Sequence, residues 1–162
     1  MVTHYIHRGL AKKNFKENTL SAFKYSFKKK YGIETDLQVT KDNQLICFHD
    51  LNLRRKFNLN KNVKDINYSS LKKISKKRKA TVPLLKDLLK ISKNRYPLLL
   101  EIKPLLTKLS LLSLVKLMKK TKKYGIFSFK EKNLINLYKL NKKLTLGLLF
   151  LSTSSLKTIK SK

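Results

Sequence analysis

The chain has 162 residues and a formal net charge of +30, with 39 Lys and Arg residues against nine Asp and Glu. Its hydrophobic fraction of 41% is enough for a buried core and excludes a solvated, disordered tail. The charge favours attraction to polyanions such as nucleic acid or an anionic membrane surface. Only five basic residues are arginine, however, and base readout and phosphate clamps favour arginine. Because the lysines are spread along the whole chain, compositional drift is favoured over a dedicated nucleic-acid site.

Cysteine content and apolar runs bear on localisation. Cys47 is the single cysteine and cannot form an internal disulfide, which indicates a reducing compartment. No basic segment followed by an apolar run precedes the first predicted strand, so we expect no signal peptide. The apolar stretch 105–118 contains Lys108 and Lys116 and is too short to span a bilayer. We therefore predict a soluble, cytoplasmic protein.

Segments with strand and helix periodicity alternate along the chain. A helix is predicted after Asn18 or Thr19, either of which can cap it, and 40–43 has turn composition. The predicted strands cover 2–6, 33–39, 45–48, 98–102, 126–129 and 144–150, and further helices cover 69–77, 84–89, 109–122 and 132–140. This order predicts an α/β fold with a parallel sheet, either doubly wound or closed as a barrel. The absence of a glycine-rich phosphate loop weakens the doubly wound, nucleotide-binding alternative.

Three acidic residues lie on predicted strands of a chain that has few acids. Glu34 and Asp36 are two residues apart, so both carboxylates point to the same face of the sheet. Glu101 lies near the end of another buried strand, where a carboxylate needs a cation or a hydrogen-bonded partner. Three converging carboxylates form the all-oxygen site that hard divalent ions prefer.

Two histidines end predicted strands beside this acidic cluster. His7 ends the first strand and His49 ends the third, which suits an acid and a base acting on opposite sides of a phosphate. Arg8 and Lys103 are candidates for binding the phosphate oxygens.

Other polar residues have simpler interpretations. His4 points to the opposite face from His7 and is interpreted as structural or exposed. Asp50 is interpreted as a turn residue or as a group that orients the neighbouring histidine, and Glu17-Asn18 as a cap of the first helix. The lysine pairs and triplets along the chain are interpreted as solvated helix faces.

Several ordered motifs together resemble the glycerophosphodiester phosphodiesterase family. They extend from residue 4 to about residue 150 and include His7-Arg8-Gly9, Glu17-Asn18-Thr19, Gly32-Ile33-Glu34-Thr35-Asp36, Phe48-His49-Asp50, Val82-Pro83-Leu84 and Leu100-Glu101-Ile102-Lys103. The resemblance implies a TIM (β/α)8-type barrel that hydrolyses glycerophosphodiesters to glycerol 3-phosphate and an alcohol. It implies His7 and His49 as the catalytic acid and base, and Arg8 and Lys103 as contacts to the substrate phosphate. Glu34, Asp36 and Glu101 would bind the divalent cation, Ca²⁺ or Mg²⁺.

The chain departs from this pattern in length and in one loop. A complete barrel takes about 250 residues, so we expect a barrel domain over 1–151 that is truncated after about six strands, and a basic polar tail over 152–162. Lys16 replaces a usual proline, and 55–62 replaces a glycine-containing segment. Open sheet edges predict pairing with another copy. The alternatives are a weak or inactive family member, or a basic protein that binds anionic lipid or nucleic acid.

Overall fold

The structure is a computed structural model that describes residues 4–11 and 16–150. Six strands and six α-helices alternate along most of the chain. The strands are β1 (Tyr5–His7), β2 (Gly32–Val39), β3 (Leu45–Cys47), β4 (Leu98–Ile102), β5 (Tyr124–Ser128) and β6 (Leu146–Leu148). The helices are α1 (Leu20–Lys28), α2 (Arg54–Phe57), α3 (Tyr68–Lys77), α4 (Leu85–Ser92), α5 (Lys108–Met118) and α6 (Glu131–Leu140), with a 3₁₀ turn over Val63–Asp65.

The six strands form one sheet in which five strands are parallel, in the order β1-β2-β4-β5-β6. Within the described residues the sheet is open, with β1 and β6 at its two ends. The predicted α/β architecture with about six strands is therefore confirmed. The start of the first predicted strand (2–3) and the predicted tail (152–162) lie outside the described residues.

One strand differs from an all-parallel sheet. β3 pairs antiparallel with β2, with Leu37 opposite Cys47 and Val39 opposite Leu45. The connection 40–44 is closed by a hydrogen bond from the Thr40 N–H to the Gln44 carbonyl (3.1 Å). So short a connection forms a hairpin, because a parallel crossover needs a dozen or more residues. The turn predicted at 40–43 is present, and it reverses the strand direction.

Two apolar clusters hold the fold together. The larger packs the sheet against α1, α4, α5 and α6, and includes Phe23, Ile33, Leu100, Leu114 and Leu137. The smaller lies under the segment that follows β3, and its buried side chains include Phe48, Leu53, Phe57, Val63 and Leu71. Each fully buried side chain of this size contributes about 1.5–3 kcal/mol from burial. The second cluster therefore fixes the path of 48–66, which passes beside the ends of β1, β2 and β4.

Candidate active site

The three predicted carboxylates converge on two adjacent strands. Glu34 and Asp36 lie on β2 and Glu101 lies on β4, and the strand register places Asp36 directly opposite Glu101. One carboxylate oxygen from each residue lies within 4.8 Å of one from each of the others. The alternation of side chains along β2 accounts for this arrangement, because residues two apart share a face.

Asp36 is the buried centre of the cluster, with 1% of its side chain exposed. Arg8 Nε lies 3.0 Å from Asp36 Oδ2. Lys103 Nζ lies 3.1 Å from Asp36 Oδ1 and 2.8 Å from Glu101 Oε1. Arg8 and Lys103, both predicted to contact phosphate, thus flank the acidic cluster.

The donor set fits a hard divalent cation. It consists of carboxylate oxygens alone, which Ca²⁺ and Mg²⁺ prefer. Asp36 Oδ1 and Glu101 Oε1 are paired with the ammonium of Lys103, at 3.1 and 2.8 Å. The fit to a cation therefore rests on the chemistry and convergence of the three carboxylates.

The electrostatics of the cluster differ from those of isolated side chains. Burial, and next the charge of Asp36, raise the pKa of Glu34 from its ordinary value to about 7. Burial alone would lower the pKa of Lys103, but the adjacent carboxylates of Glu101 and Asp36 raise it above its ordinary value. The site therefore holds one carboxyl that is easily protonated and one ammonium that stays charged.

A buried amide relay, which the sequence analysis missed, orients Asp36. Asn18 Nδ2 donates a hydrogen bond to Asp36 Oδ2 (3.2 Å), and Thr35 Oγ1 donates one to Asn18 Oδ1 (2.7 Å). The side chain that caps α1 is that of Thr19, which accepts a hydrogen bond from Ala22 N. Asn18 itself has a left-handed backbone (φ +52°), a conformation that Asn tolerates better than most residues. The capping interpretation of Glu17-Asn18 is therefore wrong, and Asn18 belongs to the site.

The two predicted catalytic histidines have different surroundings. His7 Nε2 is 3.9 Å from Glu34 Oε2, and most of its side chain is exposed. His49 is about one third exposed, and its Nδ1 lies 2.7 Å from Asp50 Oδ1. Asp50 thus contacts His49 as the histidine-orienting interpretation predicts. His4 packs edge-on against Tyr31 instead (ring centroids 6.4 Å apart).

The turn after β1 brings Arg8 into the site. Arg8 and Gly9 both have left-handed backbones, with φ +55° and +76°. A Cβ atom at Gly9 would lie 2.9 Å from Phe23 Cδ1 and 3.1 Å from the Ala22 backbone. Glycine is therefore required for this turn to pack on α1.

An open cleft lies beside the carboxylate cluster, and of the predicted site residues it is lined by His49 and Lys103. Its volume is about 470 Å³, and it is lined by His49, Asp50, Leu51, Asn52, Arg55 and Lys103. A second cavity of about 580 Å³ shares Leu51 with it and extends between the ends of β2 and β4. The walls of the second cavity include Gln38, Pro104, Leu105, Leu106 and Thr107.

Comparison with known families identifies the group to which this site belongs. The model of the glycerophosphoryl diester phosphodiesterase family matches residues 7–160. The chain belongs to this family. The resemblance given by the sequence motifs is thereby confirmed, and the match includes each of the predicted site residues.

Relatives of this family share parts of the chain. A glycerophosphodiester phosphodiesterase from Bacillus altitudinis is 34% identical over 110 residues, which are 63% of this chain and 44% of that protein. The human protein named lysophospholipase D GDPD1 is 41% identical over 69 residues, which are 42% of this chain and 22% of that protein. The chain thus spans less than half the length of either relative.

Solved structures of the family share the fold. The glycerophosphodiester phosphodiesterase of Thermotoga maritima superposes with a TM-score of 0.79 at 24% identity, over 94% of this chain and 64% of that one. An Oleispira antarctica phosphodiesterase, solved with the product sn-glycerol-3-phosphate, gives a TM-score of 0.81 at 21% identity over 98% and 70% of the two chains. The six-stranded sheet therefore corresponds to part of the family's TIM barrel. Each helix within 4–11 and 16–150 is too short or too polar to traverse a bilayer.

Proposed function

We propose that the chain hydrolyses glycerophosphodiesters to glycerol 3-phosphate and an alcohol, with a divalent cation, Ca²⁺ or Mg²⁺, held by Glu34, Asp36 and Glu101. The observation that carries the proposal is the convergence of these three carboxylates beside Arg8 and Lys103. The family match and the name of the Bacillus altitudinis relative support the same reaction.

The roles proposed for the flanking residues follow from their positions. Arg8 and Lys103 are the cations closest to the carboxylate cluster, and they would bind the two free oxygens of a phosphodiester. His49 has its Nδ1 directed at Asp50, which leaves Nε2 to accept a proton from the attacking hydroxyl. His7, which is near Glu34 and mostly exposed to solvent, would protonate the leaving alcohol. The cation, when bound, supplies neutralisation of charge on the phosphoryl oxygens.

The direct test is release of glycerol 3-phosphate from glycerophosphocholine with Ca²⁺ or Mg²⁺ and with EDTA. We expect turnover only with a divalent cation, and a loss of at least about 100-fold in His7→Ala, His49→Ala and Glu34→Gln. His4→Ala is the matched control, because His4 contacts Tyr31 outside the site. Full activity in both His7→Ala and Glu34→Gln would rule out the proposed roles.

A second substrate class is favoured by the cavity beside the catalytic cleft. The cavity shares Leu51 with the cleft, and the side chains of Leu51 and Leu105 are largely exposed within it. The leucine-lined part of this cavity, beside a phosphate site, suits the acyl chain of a lysophospholipid, while polar side chains such as Gln38 and Lys41 line the rest. The human relative named lysophospholipase D GDPD1 supports this substrate class.

Paired substrates distinguish the two classes. We expect Leu105→Ser to lower kcat/KM for a lysophosphatidylcholine several-fold while leaving glycerophosphocholine hydrolysis unchanged, because Leu105 lines the second cavity and not the cleft. The exposed Leu140→Ser on α6 is the control. Equal effects on both substrates would contradict an acyl-chain subsite.

A further inference from the structure

A continuous series of ion pairs joins the His49 side of the site to the carboxylate cluster. It runs from His49 to Asp50, Arg55, Glu17, Arg8 and Asp36, with successive contacts of 2.7, 2.7, 2.9, 3.3 and 3.0 Å. Three of the six residues, His49, Arg8 and Asp36, were already candidate site residues from the sequence. Arg55, on the short helix α2, is the residue at which the two halves of this series meet.

Arg55 holds Asp50 in two places. Its Nε donates to Asp50 Oδ2 (2.7 Å) and its Nη2 donates to Asp50 Oδ1 (3.1 Å), the bidentate geometry in which guanidinium and carboxylate are coplanar. Asp50 Oδ1 is the same oxygen that contacts His49 Nδ1. Burial would raise the pKa of Asp50, but hydrogen bonds from Arg55 and His49 hold it below its ordinary value. Asp50 is thus a fixed anion beside the imidazole.

The other side of Arg55 is anchored to Glu17. Arg55 Nη2 donates to Glu17 Oε1 (2.9 Å), while Glu17 Oε2 accepts from Arg8 Nη1 (3.3 Å). The adjacent Lys56 is mostly buried, and its Nζ donates to the Glu17 carbonyl oxygen (2.9 Å). These contacts attach α2 to the loop that precedes α1. Glu17 therefore helps to hold the Arg55 guanidinium in its position against Asp50.

We propose that Arg55 is a positioning residue that fixes Asp50, and through it keeps His49 in the tautomer with the proton on Nδ1 and a free Nε2. The inference rests on the proposed function only in taking His49 as the catalytic base; the contacts among Arg55, Asp50 and His49 are independent of it. A neutral imidazole carries its proton on the nitrogen that donates a hydrogen bond, so a fixed acceptor at Nδ1 selects that tautomer. Without the guanidinium, Asp50 retains rotamers that point its carboxylate away from His49.

The effect of Arg55 is on orientation rather than on folding stability. More than half of its side chain is exposed, and ion pairs in such positions contribute little to stability because water and salt screen them. Loss of an outer partner that orients a reactive group typically costs 10–100-fold in function. Arg55 variants should therefore remain folded but have an altered distribution of His49 tautomers.

The test compares Arg55→Gln with Arg54→Gln, the neighbouring arginine whose side chain is exposed outside this series. The ¹⁵N spectrum of the His49 imidazole, recorded in the metal-free protein at a pH where the ring is neutral, reports which nitrogen carries the proton. We expect wild type and Arg54→Gln to have the proton on Nδ1, and Arg55→Gln to shift a large fraction to Nε2. Arg55→Lys, which keeps the charge but not the fork, should shift a smaller fraction.

Glu17→Gln provides a second route to the same conclusion if Arg55→Gln does not fold. It removes the anchor but leaves the contact between Arg55 and Asp50, and we expect a partial shift to the Nε2 tautomer. An unchanged tautomer in folded Arg55→Gln, or in Glu17→Gln where Arg55→Gln is unfolded, would overturn the proposal.

Kinetics then separate the inference from the proposed function. With glycerophosphocholine as substrate, Arg55→Gln should lower kcat about tenfold with little change in KM, since the phosphate contacts remain. A shifted tautomer in a chain that has no diesterase activity would support the positioning role and count against the proposed function. If folded Arg55→Gln keeps the proton on Nδ1 and the wild-type chain hydrolyses glycerophosphocholine, the positioning role is overturned and the proposed function is supported.

Discussion

At the scale of single residues, Glu34 and Asp36 lie two positions apart on β2, yet their surroundings differ. Asp36 contacts the charged groups of Arg8 and Lys103 and the amide of Asn18. Glu34 accepts a long hydrogen bond from the Arg8 backbone N–H (3.4 Å) and lies 3.9 Å from His7. Burial and the charge of Asp36 raise the pKa of Glu34 to about 7, and the opposing effect of Arg8 does not offset them.

This shift predicts a pH-dependent stability in EDTA. The folded pKa of Glu34 (about 7) lies above its ordinary value of 4.5, so the contribution of protonated Glu34 to stability is complete below about pH 4.5 and is lost as the pH rises through 7. The loss is roughly 3 kcal/mol or less. We expect the Tm of wild type to fall relative to that of Glu34→Gln between about pH 5 and pH 8. Parallel Tm curves for the two proteins would contradict the shift.

The Asn18 relay makes a second prediction at this scale. Thr35→Val keeps the shape of a fully buried side chain but removes the hydroxyl that orients Asn18. The donor to Asp36 would then no longer be held in place. We expect the Thr35→Val variant to bind Ca²⁺ about tenfold more weakly, as measured by calorimetry. Thr35→Ser retains the hydroxyl and should bind as wild type does. Equal weakening in both variants would assign the effect to packing instead.

At the scale of elements, the sequence predicted the strands and helices whose positions depend on hydrophobic periodicity and turn composition. The strands at 33–39, 98–102 and 126–129 and the helices at 69–77 and 132–140 agree with β2, β4, β5, α3 and α6 to within about two residues. The carboxylate cluster was also predictable in part, because it depends on alternation along β2 and on the pairing of β2 with β4.

The segment 49–66 could not be predicted from local sequence. Its α2 helix has four residues, three of them basic, and it lacks an apolar period. Its path depends on Leu53 and Phe57, which pack into the smaller apolar cluster, and on contacts to Glu17 from a distant part of the chain. Both are tertiary interactions. The contacts of Arg55 with Asp50 and Glu17 therefore could not be predicted from the sequence.

A buried amide on α6 connects three elements and predicts a large loss of stability. Asn133 is fully buried; its Oδ1 accepts from Leu106 N (2.9 Å), and its Nδ2 donates to the Pro104 carbonyl (2.8 Å) and to Ser128 Oγ (3.3 Å). Asn133→Ala leaves buried partners unsatisfied, so we expect the free energy of unfolding to fall by about 2–4 kcal/mol in urea. The half-buried Asn136→Ala on the same helix should cost about 1 kcal/mol or less. Equal losses would show that Asn133 has no connecting role.

At the scale of the whole molecule, the two signs of charge are distributed differently. Five of the nine acidic residues lie in the site: Glu17, Glu34, Asp36, Asp50 and Glu101. The 39 Lys and Arg residues are spread along the chain. On α3, Lys72 and Lys76, and likewise Lys73 and Lys77, are exposed at i and i+4, a spacing at which like charges destabilise a helix.

The net charge of +30 therefore predicts that salt stabilises the fold. Raising NaCl from about 20 to about 300 mM shortens the screening length below 10 Å and weakens the repulsion among lysines. The same salt also screens the ion pairs of the site, but those are fewer and partly buried, so the Tm should rise. Lys73→Glu isolates the cause, because it replaces one repulsive pair with a Glu–Lys pair in the favourable orientation. We expect Lys73→Glu to raise the Tm at low salt, and this gain to shrink at high salt. A Tm that falls with salt would mean that the site's ion pairs, rather than lysine repulsion, dominate the electrostatics of the molecule.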